Sequence, residues 1–379
     1  MSGEGKVSVD LPETLEQRLS HAKPGDIVDV APFSLDRVTT QSYEKRGGGP
    51  PMVFSDDPEY FRVPEGAGVR EQVGPGGVRL YVYHVNATTD SAKRISSVIE
   101  NLGSGPLTVR FRRYASTGPS TDYYKVGKQG LVEYFSGKVP SQTLVIPPGQ
   151  AAPLDPRMDS AAVKFDELIH GFYDFEIDQP ARITTLQTTL DTPAVEANAR
   201  IKEVLPPRKG SGAGRGLYQT TEFDVSLPGG QIYDTAEGLR QIVLADGKTD
   251  PWIKGWDSSR QTSVTLAGNY GVLYHVRFEY TSSDGRALVL GLWYPPSGRQ
   301  WCEACALAVV VNDGRFKGGI VPLPRTSTIF KGRSSVAVIQ VYPPQPASKK
   351  GVIELTYSPP GASCLPTPLL LIPVRLGEP

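Results

Sequence analysis

The sequence predicts an all-β protein made of two antiparallel β-sandwich domains with one or two short helices. Short apolar runs with period-2 alternation recur through the 379 residues and are bounded by turn residues. The 40 glycines and 34 prolines separate these runs and form about a fifth of the chain, against about 12% in average proteins. Strands do not alternate with helices, and this argues against a parallel α/β fold.

The N-terminal half contains the clearest strand. Residues 78–85 alternate, with Val78, Leu80 and Val82 on one face. Further strands are predicted at residues 94–100, 107–114, 131–135, 143–146, 163–169, 171–177 and 183–189. Residues 101–106 predict a hairpin-type connection between the strands on either side. Helices are predicted at residues 12–22 and 193–204.

The C-terminal half repeats the strand pattern. Strands are predicted at residues 218–225, 264–266, 271–280, 287–294, 304–311, 334–342, 351–357 and 369–376. Residues 280–286 contain Asp284-Gly285 and predict a hairpin loop. The Gly-rich residues 206–216 predict a flexible linker. The chain is therefore divided into an N-terminal β-sandwich at residues 1–205, the linker at 206–216 and a C-terminal β-sandwich at 217–379.

Charge and hydropathy exclude several classes of protein. Lys and Arg total 40, as do Asp and Glu, so the net charge lacks the basic excess expected of a nucleic-acid binder. No apolar run reaches 18 residues, which argues against a membrane span. The N-terminus lacks the apolar core of a signal peptide, so no signal peptide is predicted in this chain.

The cysteines are too few for a disulfide scaffold. Cys302 and Cys305 have the spacing of thiol oxidoreductases, but no helix is predicted there to lower a thiol pKa. They are therefore candidates for a structural disulfide, or for two buried thiols, rather than a redox centre, and a bond between them would indicate an oxidising compartment.

No local sequence motif predicts a metal site or a set of catalytic residues. The four histidines are isolated, and none belongs to a His-x-His or His-x-x-x-His pair. No Gly-x-Ser-x-Gly motif is present to carry a nucleophilic serine. The sequence therefore predicts no metal, no cofactor and no catalytic residue.

Two tryptophans are the best candidates for ligand binding. Trp252 and Trp256 flank Ile-Lys-Gly in a polar segment that begins with a proline. Burial is not assured there, and exposed flat aromatic rings can stack on sugar rings.

Two segments carry a family resemblance. One is Gly-Pro-Ser-Thr-Asp-Tyr-Tyr-Lys-Val-Gly-Lys at residues 118–128, followed by Glu133-Tyr-Phe135. The other is Gly-Asn-Tyr-Gly-Val-Leu-Tyr at residues 268–274, followed by two strands and Pro295-Pro-Ser-Gly. They resemble the region downstream of the stalk domain in secreted proteins of spore-forming Gram-positive bacteria. Those proteins are usually labelled "copper amine oxidase N-terminal domain-containing".

The resemblance covers residues 75–345 in outline and implies an extracytoplasmic setting with a role at the cell surface. It does not imply oxidase chemistry. A topaquinone amine oxidase needs Asn-Tyr-Asp or Asn-Tyr-Glu and three copper-binding histidines, whereas this chain has Asn269-Tyr270-Gly271 and no His-x-His pair.

The sequence therefore favours a non-enzymatic, secreted or cell-envelope protein with a structural or assembly role. Its partner would be a cell-wall or envelope component, or a second copy joined through sheet edges. Two alternatives remain open. One is a carbohydrate-binding protein that uses Trp252 and Trp256, and the other is a hydrolase with a site at the domain junction.

Overall fold

The computed structural model describes residues 11–31, 38–208, 214–294, 304–326, 330–331, 334–346, 348–361, 363, 365 and 367–376. These residues form 28 strands and four α-helices, which confirms the predicted all-β, sandwich-like fold. Most strand pairs are antiparallel, and a minority, such as those of β4 and β5 with β7 below, are parallel. No helix in the described residues is long and apolar enough to cross a membrane.

The first half of the chain contains all four helices. Its elements are α1 (Glu13–His21), β1 (Ile27–Asp29), β2 (Thr39–Thr40), β3 (Glu44–Gly48), β4 (Met52–Ser55), β5 (Tyr60–Phe61), β6 (Gly66–Val73), β7 (Gly76–Asn86), β8 (Lys93–Asn101), β9 (Leu107–Ser120), α2 (Tyr123–Ser136), β10 (Leu144–Ile146), β11 (Ala151–Pro153), α3 (Pro156–Ser160), β12 (Leu168–Ile177), β13 (Ala181–Thr189) and α4 (Ala194–Arg200).

The regular elements of the second half are almost all strands. They are β14 (Arg215–Tyr218), β15 (Glu222–Ser226), β16 (Ile232–Asp234), β17 (Arg240–Ile242), β18 (Lys254–Asp257), β19 (Thr262–Thr265), β20 (Leu273–Thr281), β21 (Ala287–Tyr294), β22 (Ala304–Cys305), β23 (Leu307–Val311), β24 (Gly319–Leu323), β25 (Phe330–Lys331), β26 (Ser335–Tyr342), β27 (Gly351–Tyr357) and β28 (Leu369–Val374).

The first sandwich pairs a nine-stranded sheet with a four-stranded sheet. The nine-stranded sheet has the order β10-β9-β12-β7-β4-β14-β18-β19, with β5 also on β7, and the four-stranded sheet has the order β11-β8-β13-β6. Val78, Leu80 and Val82 of β7 share a buried cluster with Ile95 and Ile99 of β8. The predicted face of residues 78–85 is therefore confirmed.

The second sandwich pairs a seven-stranded sheet with a six-stranded sheet. Their orders are β24-β23-β27-β20-β15-β3, with β16 on β20, and β1-β26-β21-β28-β17-β2. Val276 of β20 and Leu290 of β21 belong to the shared core. Helix α1, as predicted near residues 12–22, covers the other face of the six-stranded sheet, where Leu15 and Leu19 join the cluster of Val289.

Helix α2 replaces the strand predicted at residues 131–135. Asp122 caps its start by accepting a hydrogen bond from the main-chain N–H of Lys125, and Gly137 ends it in the left-handed region at φ 68°. Its Tyr134 ring stacks on Phe172 of β12 at 3.8 Å between centroids. The prediction was wrong because the caps and the tertiary packing decide the conformation, and a five-residue segment with four apolar positions reveals neither.

Both predicted hairpins are wrong. β8 lies in the four-stranded sheet and β9 in the nine-stranded sheet, so residues 101–106 pass between sheets. β20 and β21 likewise lie in different sheets of the second sandwich. The turn residue of the second connection is as expected, since Gly285 has φ 76°. Turn residues predict where the chain reverses direction, but they do not predict which sheet the next strand joins.

Other strand bounds also differ from the prediction. Residues 163–169 and 171–177 give one strand, β12, which begins at Leu168. Residues 218–225 give parts of two strands in different sheets, β14 and β15. Helix α4 occupies Ala194–Arg200 within the predicted residues 193–204.

Strand pairing crosses the segment predicted to divide the chain. β14 pairs with β4, β15 pairs with β3, and β26 pairs with β1. Arg215 and Gly216, which were predicted to be flexible linker, lie in β14, and only 2% of Arg215 is exposed. The division at 206–216 stays a prediction about domains, but the sheets themselves are built from strands on both sides of it.

Candidate functional site

A cavity of about 1080 Å³ opens on the outer face of the nine-stranded sheet. One wall comes from β7, the residues after β4 and the start of α2. The other comes from loops that precede β18 and β20 and from Gly361 and Leu365. The cavity therefore lies where the loops of the second half meet the first sandwich.

Seven aromatic rings line the cavity, which we call the tyrosine cavity. They are Tyr60, Tyr81, Tyr83, Tyr123, Tyr124, Tyr270 and Trp252. Tyr81 and Tyr83 alternate on β7, so both project from the face opposite Leu80 and Val82. The Tyr81 ring stacks on Phe54 at 4.9 Å between centroids, which fixes its orientation.

Residues 56–59, here called the acidic loop, place three carboxyl groups in the cavity wall between β4 and β5. Burial, and then the negative charges of Glu59 and Asp57, raise the pKa of Asp56 well above its usual value. Burial also raises the pKa of Asp57 and of Glu59. The loop therefore holds carboxyl groups whose negative charge is poorly stabilised by solvent or by neighbouring positive groups.

Two polar atoms of this wall have no hydrogen-bond partner among the described residues: Asp56 Oδ1 and the Tyr83 hydroxyl. Tyr83 is 5% exposed. Burial raises the pKa of Tyr83, with smaller contributions from the charges of Glu59 and Asp56. Buried polar atoms are normally paired, and an unpaired one suggests a place for a bound group.

Arg215 holds the acidic loop in place through hydrogen bonds to the main chain. Its Nη1 donates to the main-chain oxygens of Asp57 and Gly68, each at 3.1 Å, and its Nε donates to Asp257 Oδ2 at 2.8 Å. Burial alone would raise the pKa of Asp257, but hydrogen bonds from Ser259 and Arg215, among others, lower it to about 2. The buried ion pair thus fixes one main-chain position of the loop.

His84 supports the same loop from the sandwich interior. Its Nδ1 lies 3.0 Å from the main-chain oxygen of Pro58, which can only accept, so Nδ1 carries the proton. Its Nε2 then accepts from the Ser55 hydroxyl at 2.7 Å. Burial lowers the pKa of His84 to about 4. Because Ser55 is fully buried, this Ser–His pair positions the loop and is not a nucleophile with its base.

The two predicted ligand-binding tryptophans are both exposed, Trp252 by 38% and Trp256 by 44%. Trp252 lines the tyrosine cavity, and its Nε1 donates to the main-chain oxygen of Ala245 at 3.0 Å. Its ring rests on Gly247, where an added Cβ would lie 2.6 Å from it. Trp256 lies on β18 and is not among the lining residues.

The cysteine prediction falls partly outside the described residues, because Cys302 is not among them. The side chain of Cys305 is fully buried. Burial raises its pKa to about 12, far from the range of a reactive cysteine. The disulfide between Cys302 and Cys305 stays a prediction.

Two other buried titratable side chains, those of His170 and Arg79, serve the fold. Across the described ranges, no group of three or more His, Cys, Asp or Glu side chains is placed to hold a metal ion. His170 is buried and lies 2.8 Å, through Nδ1, from the main-chain oxygen of Val82. Arg79 is fully buried and donates to Asp174 and to Glu222, which joins the two sandwiches.

Sequence reasoning missed the acidic loop and the tyrosines of β7. The available signals were Asp56-Asp-Pro-Glu59 directly after an apolar run and two tyrosines at alternate positions opposite the predicted core face. Tyr270 and Trp252 line the same cavity although they lie far along the chain from β7. A local sequence pattern does not predict that these residues are close in the fold.

Comparison with known proteins gives no family. No family model matches the chain, and no curated protein matches it. Two solved structures align weakly. The Lactobacillus farciminis oxalate decarboxylase formate complex is 11% identical over 87% of each chain, with a TM-score of 0.15. The CUB1-EGF-CUB2 domain of human MASP-1/3 is 8% identical over 80% of this chain and 98% of that one, with a TM-score of 0.17. Such scores support no inference about fold or function.

Proposed function

We propose that this protein binds carbohydrate in the tyrosine cavity. The observation that supports the proposal is a formed cavity of about 1080 Å³ that combines seven aromatic rings with the three carboxyl groups of the acidic loop. Aromatic faces stack on the apolar faces of sugar rings, and carboxylates accept hydrogen bonds from hydroxyl groups. Concave, mostly apolar cavities with a few polar groups are the usual form of small-molecule sites.

Trp252 is the residue expected to contact a bound sugar ring. Its indole is partly exposed and is held by a hydrogen bond and by contact with Gly247. A ring fixed in this way loses little conformational entropy on binding.

The test is a titration of the protein with a panel of oligosaccharides, followed by calorimetry and tryptophan fluorescence. We expect Trp252→Ala to weaken binding about tenfold or more, since about 1.4 kcal/mol corresponds to a factor of ten. Trp256→Ala is the matched control, because Trp256 is similarly exposed but lies outside the cavity. An equal loss in both variants, or no binding to the panel, would reject the proposed site.

Glycoside hydrolysis is a second candidate, because Asp56 and Glu59 place two carboxyl groups in the same wall. Burial raises the pKa of both groups, and a raised pKa is expected of a general acid. Chromatography of the incubated oligosaccharides distinguishes the two candidates. Intact oligosaccharide after prolonged incubation would favour binding alone.

A secreted or cell-envelope location, implied by the family resemblance, remains part of the proposal. The structural or assembly role also remains a proposal, in which edge strands such as β19 would join a second copy or an envelope component. The formed cavity is the reason to place ligand binding first.

A further inference from the structure

The tyrosine cavity contains more acidic than basic side chains. Its lining residues include four acidic groups, those of the acidic loop and Asp246, against two basic ones, Arg62 and Arg208. The side chain of Asp57 already accepts a hydrogen bond from the main-chain N–H of Arg208 at 2.6 Å. Asp56 and Glu59 are thus the carboxyl groups that a bound group would reach.

A second observation marks the position of that group. The Tyr83 hydroxyl is buried in the lining that also contains these carboxyls and, within the described part of the chain, has no hydrogen-bond partner. The same holds for Asp56 Oδ1. Both atoms can accept hydrogen bonds, so a donor bound between them would satisfy both.

The surroundings favour an organic cation over a metal ion. No three acidic, histidine or cysteine side chains converge as ligands in the described ranges. Tyr81, Tyr83 and Tyr270 instead present aromatic rings, whose faces attract organic cations. A primary ammonium group carries one positive charge and three N–H donors, which matches a carboxylate, a hydroxyl oxygen and an aromatic face.

We propose that the tyrosine cavity selects saccharides that carry a free ammonium group, as glucosamine residues do, and that the ammonium lies between Asp56 and Tyr83. This inference rests on the proposed carbohydrate binding and specifies its ligand class. The sugar ring would lie against the aromatic lining, Trp252 included. N-acetylation would remove the charge and two of the three N–H donors.

Three oligosaccharides of equal length test the inference by calorimetry at a pH where the sugar amine is protonated. They are a fully deacetylated glucosamine tetramer, its fully N-acetylated counterpart and a glucose tetramer. We expect the deacetylated tetramer to bind about tenfold more tightly than either of the others. Asp56→Asn is expected to remove this preference, and Tyr83→Phe to reduce it.

Glu354→Gln serves as the matched control, since it removes an exposed carboxylate that pairs with Arg277 on the surface. It should leave the preference unchanged. Equal or tighter binding of the N-acetylated or glucose tetramer would overturn the ammonium inference while leaving carbohydrate binding in place. Absence of binding by all three would overturn both. If Asp56→Asn does not fold, Tyr83→Phe decides, and an unchanged preference in that variant counts against the inference.

Discussion

The guanidinium of Arg215 donates a hydrogen bond to the main-chain oxygen of Asp57, 3.1 Å away. Arg215 lies in β14, in the segment where the sequence predicts a linker, and Asp57 belongs to the acidic loop after β4. The contact shows that the cavity wall depends on a side chain from beyond residues 1–205, the segment predicted to form the N-terminal domain. Because Arg215 also pairs with buried Asp257, the loop position and the ion pair are coupled.

Arg215→Met is expected to destabilise the protein by about 3 kcal/mol, because it removes a buried charged donor from Asp257, which keeps Arg260 and Ser259, and from the main-chain oxygens of Asp57 and Gly68. Arg112→Met is the matched control. Arg112 is 62% exposed and forms an ion pair with Glu176 at a similar N–O distance of 2.7 Å, so its loss should change stability by less than about 0.5 kcal/mol. Urea denaturation measures both, and similar losses would contradict the role assigned to Arg215.

Asp56→Asn is expected to stabilise the protein at neutral pH by about 1 kcal/mol, because an uncompensated buried carboxylate is replaced by a neutral group. The pKa of Asp56 is raised in the folded state, so its contribution is most favourable below about pH 3.9 and is lost as the pH rises. The gain should therefore shrink towards zero near pH 3. A denaturation series across pH measures it, and a loss of stability at pH 7 would refute the prediction.

His84 and His170 are expected to destabilise the native state as the pH falls. Burial lowers the pKa of each imidazole to about 4, whereas an unfolded histidine has a pKa of about 6.5. The unfolded state therefore gains protons first, and stability that is present above about pH 6.5 is lost towards pH 4, by about 3 kcal/mol for each group.

Nuclear magnetic resonance titration of the ring protons gives the two imidazole pKa values directly. His84→Gln should flatten the corresponding part of the stability profile, which separates its effect from the opposite slope of the acidic loop. Midpoints near 6.5 for both rings would show that the imidazoles are not buried as described.

Gly130→Ala is expected to destabilise the protein by about 1–3 kcal/mol, although alanine normally favours a helix interior by about 1 kcal/mol. An added Cβ at Gly130 of α2 would lie 2.4 Å from the His170 ring. Gly137→Ala is a useful comparison, because no atom lies within 4 Å of its added Cβ and only its φ of 68° opposes the change. Thermal unfolding measures both. A rise in melting temperature for Gly130→Ala would contradict the close packing.

The sequence predicts the fold class and many strands because alternation is a local property. The spacing of Val78, Leu80 and Val82 is enough to predict that they share the buried face of a strand. Pro12 and the apolar positions after it predict α1. The segment 131–135 fails because a five-residue segment with four apolar positions fits either a strand or one turn and a half of helix. Asp122 and Gly137, on either side of that segment, are the cap residues that would have indicated α2.

Prediction of the candidate site was limited for a different reason. Trp252 stood out as an aromatic residue in a polar loop, but Trp256 fitted the same description and lies outside the cavity. The acidic loop, Tyr83 and Tyr270 meet only through tertiary packing. Spacing reveals which face a residue takes but not which distant loop will cover that face.

The pairing of β1 with β26 constrains the order in which the parts of the protein can fold during synthesis. Ile27 lies opposite Ala337, so β1, the first strand of the described residues, has no partner until β26 has been synthesised. Contacts so distant in sequence slow folding. Until then the apolar side of α1, with Leu15 and Leu19, stays uncovered on the nascent chain. We therefore expect the second sandwich to form only after β26 has been synthesised, and its unfinished sheets to be a target for chaperones during synthesis.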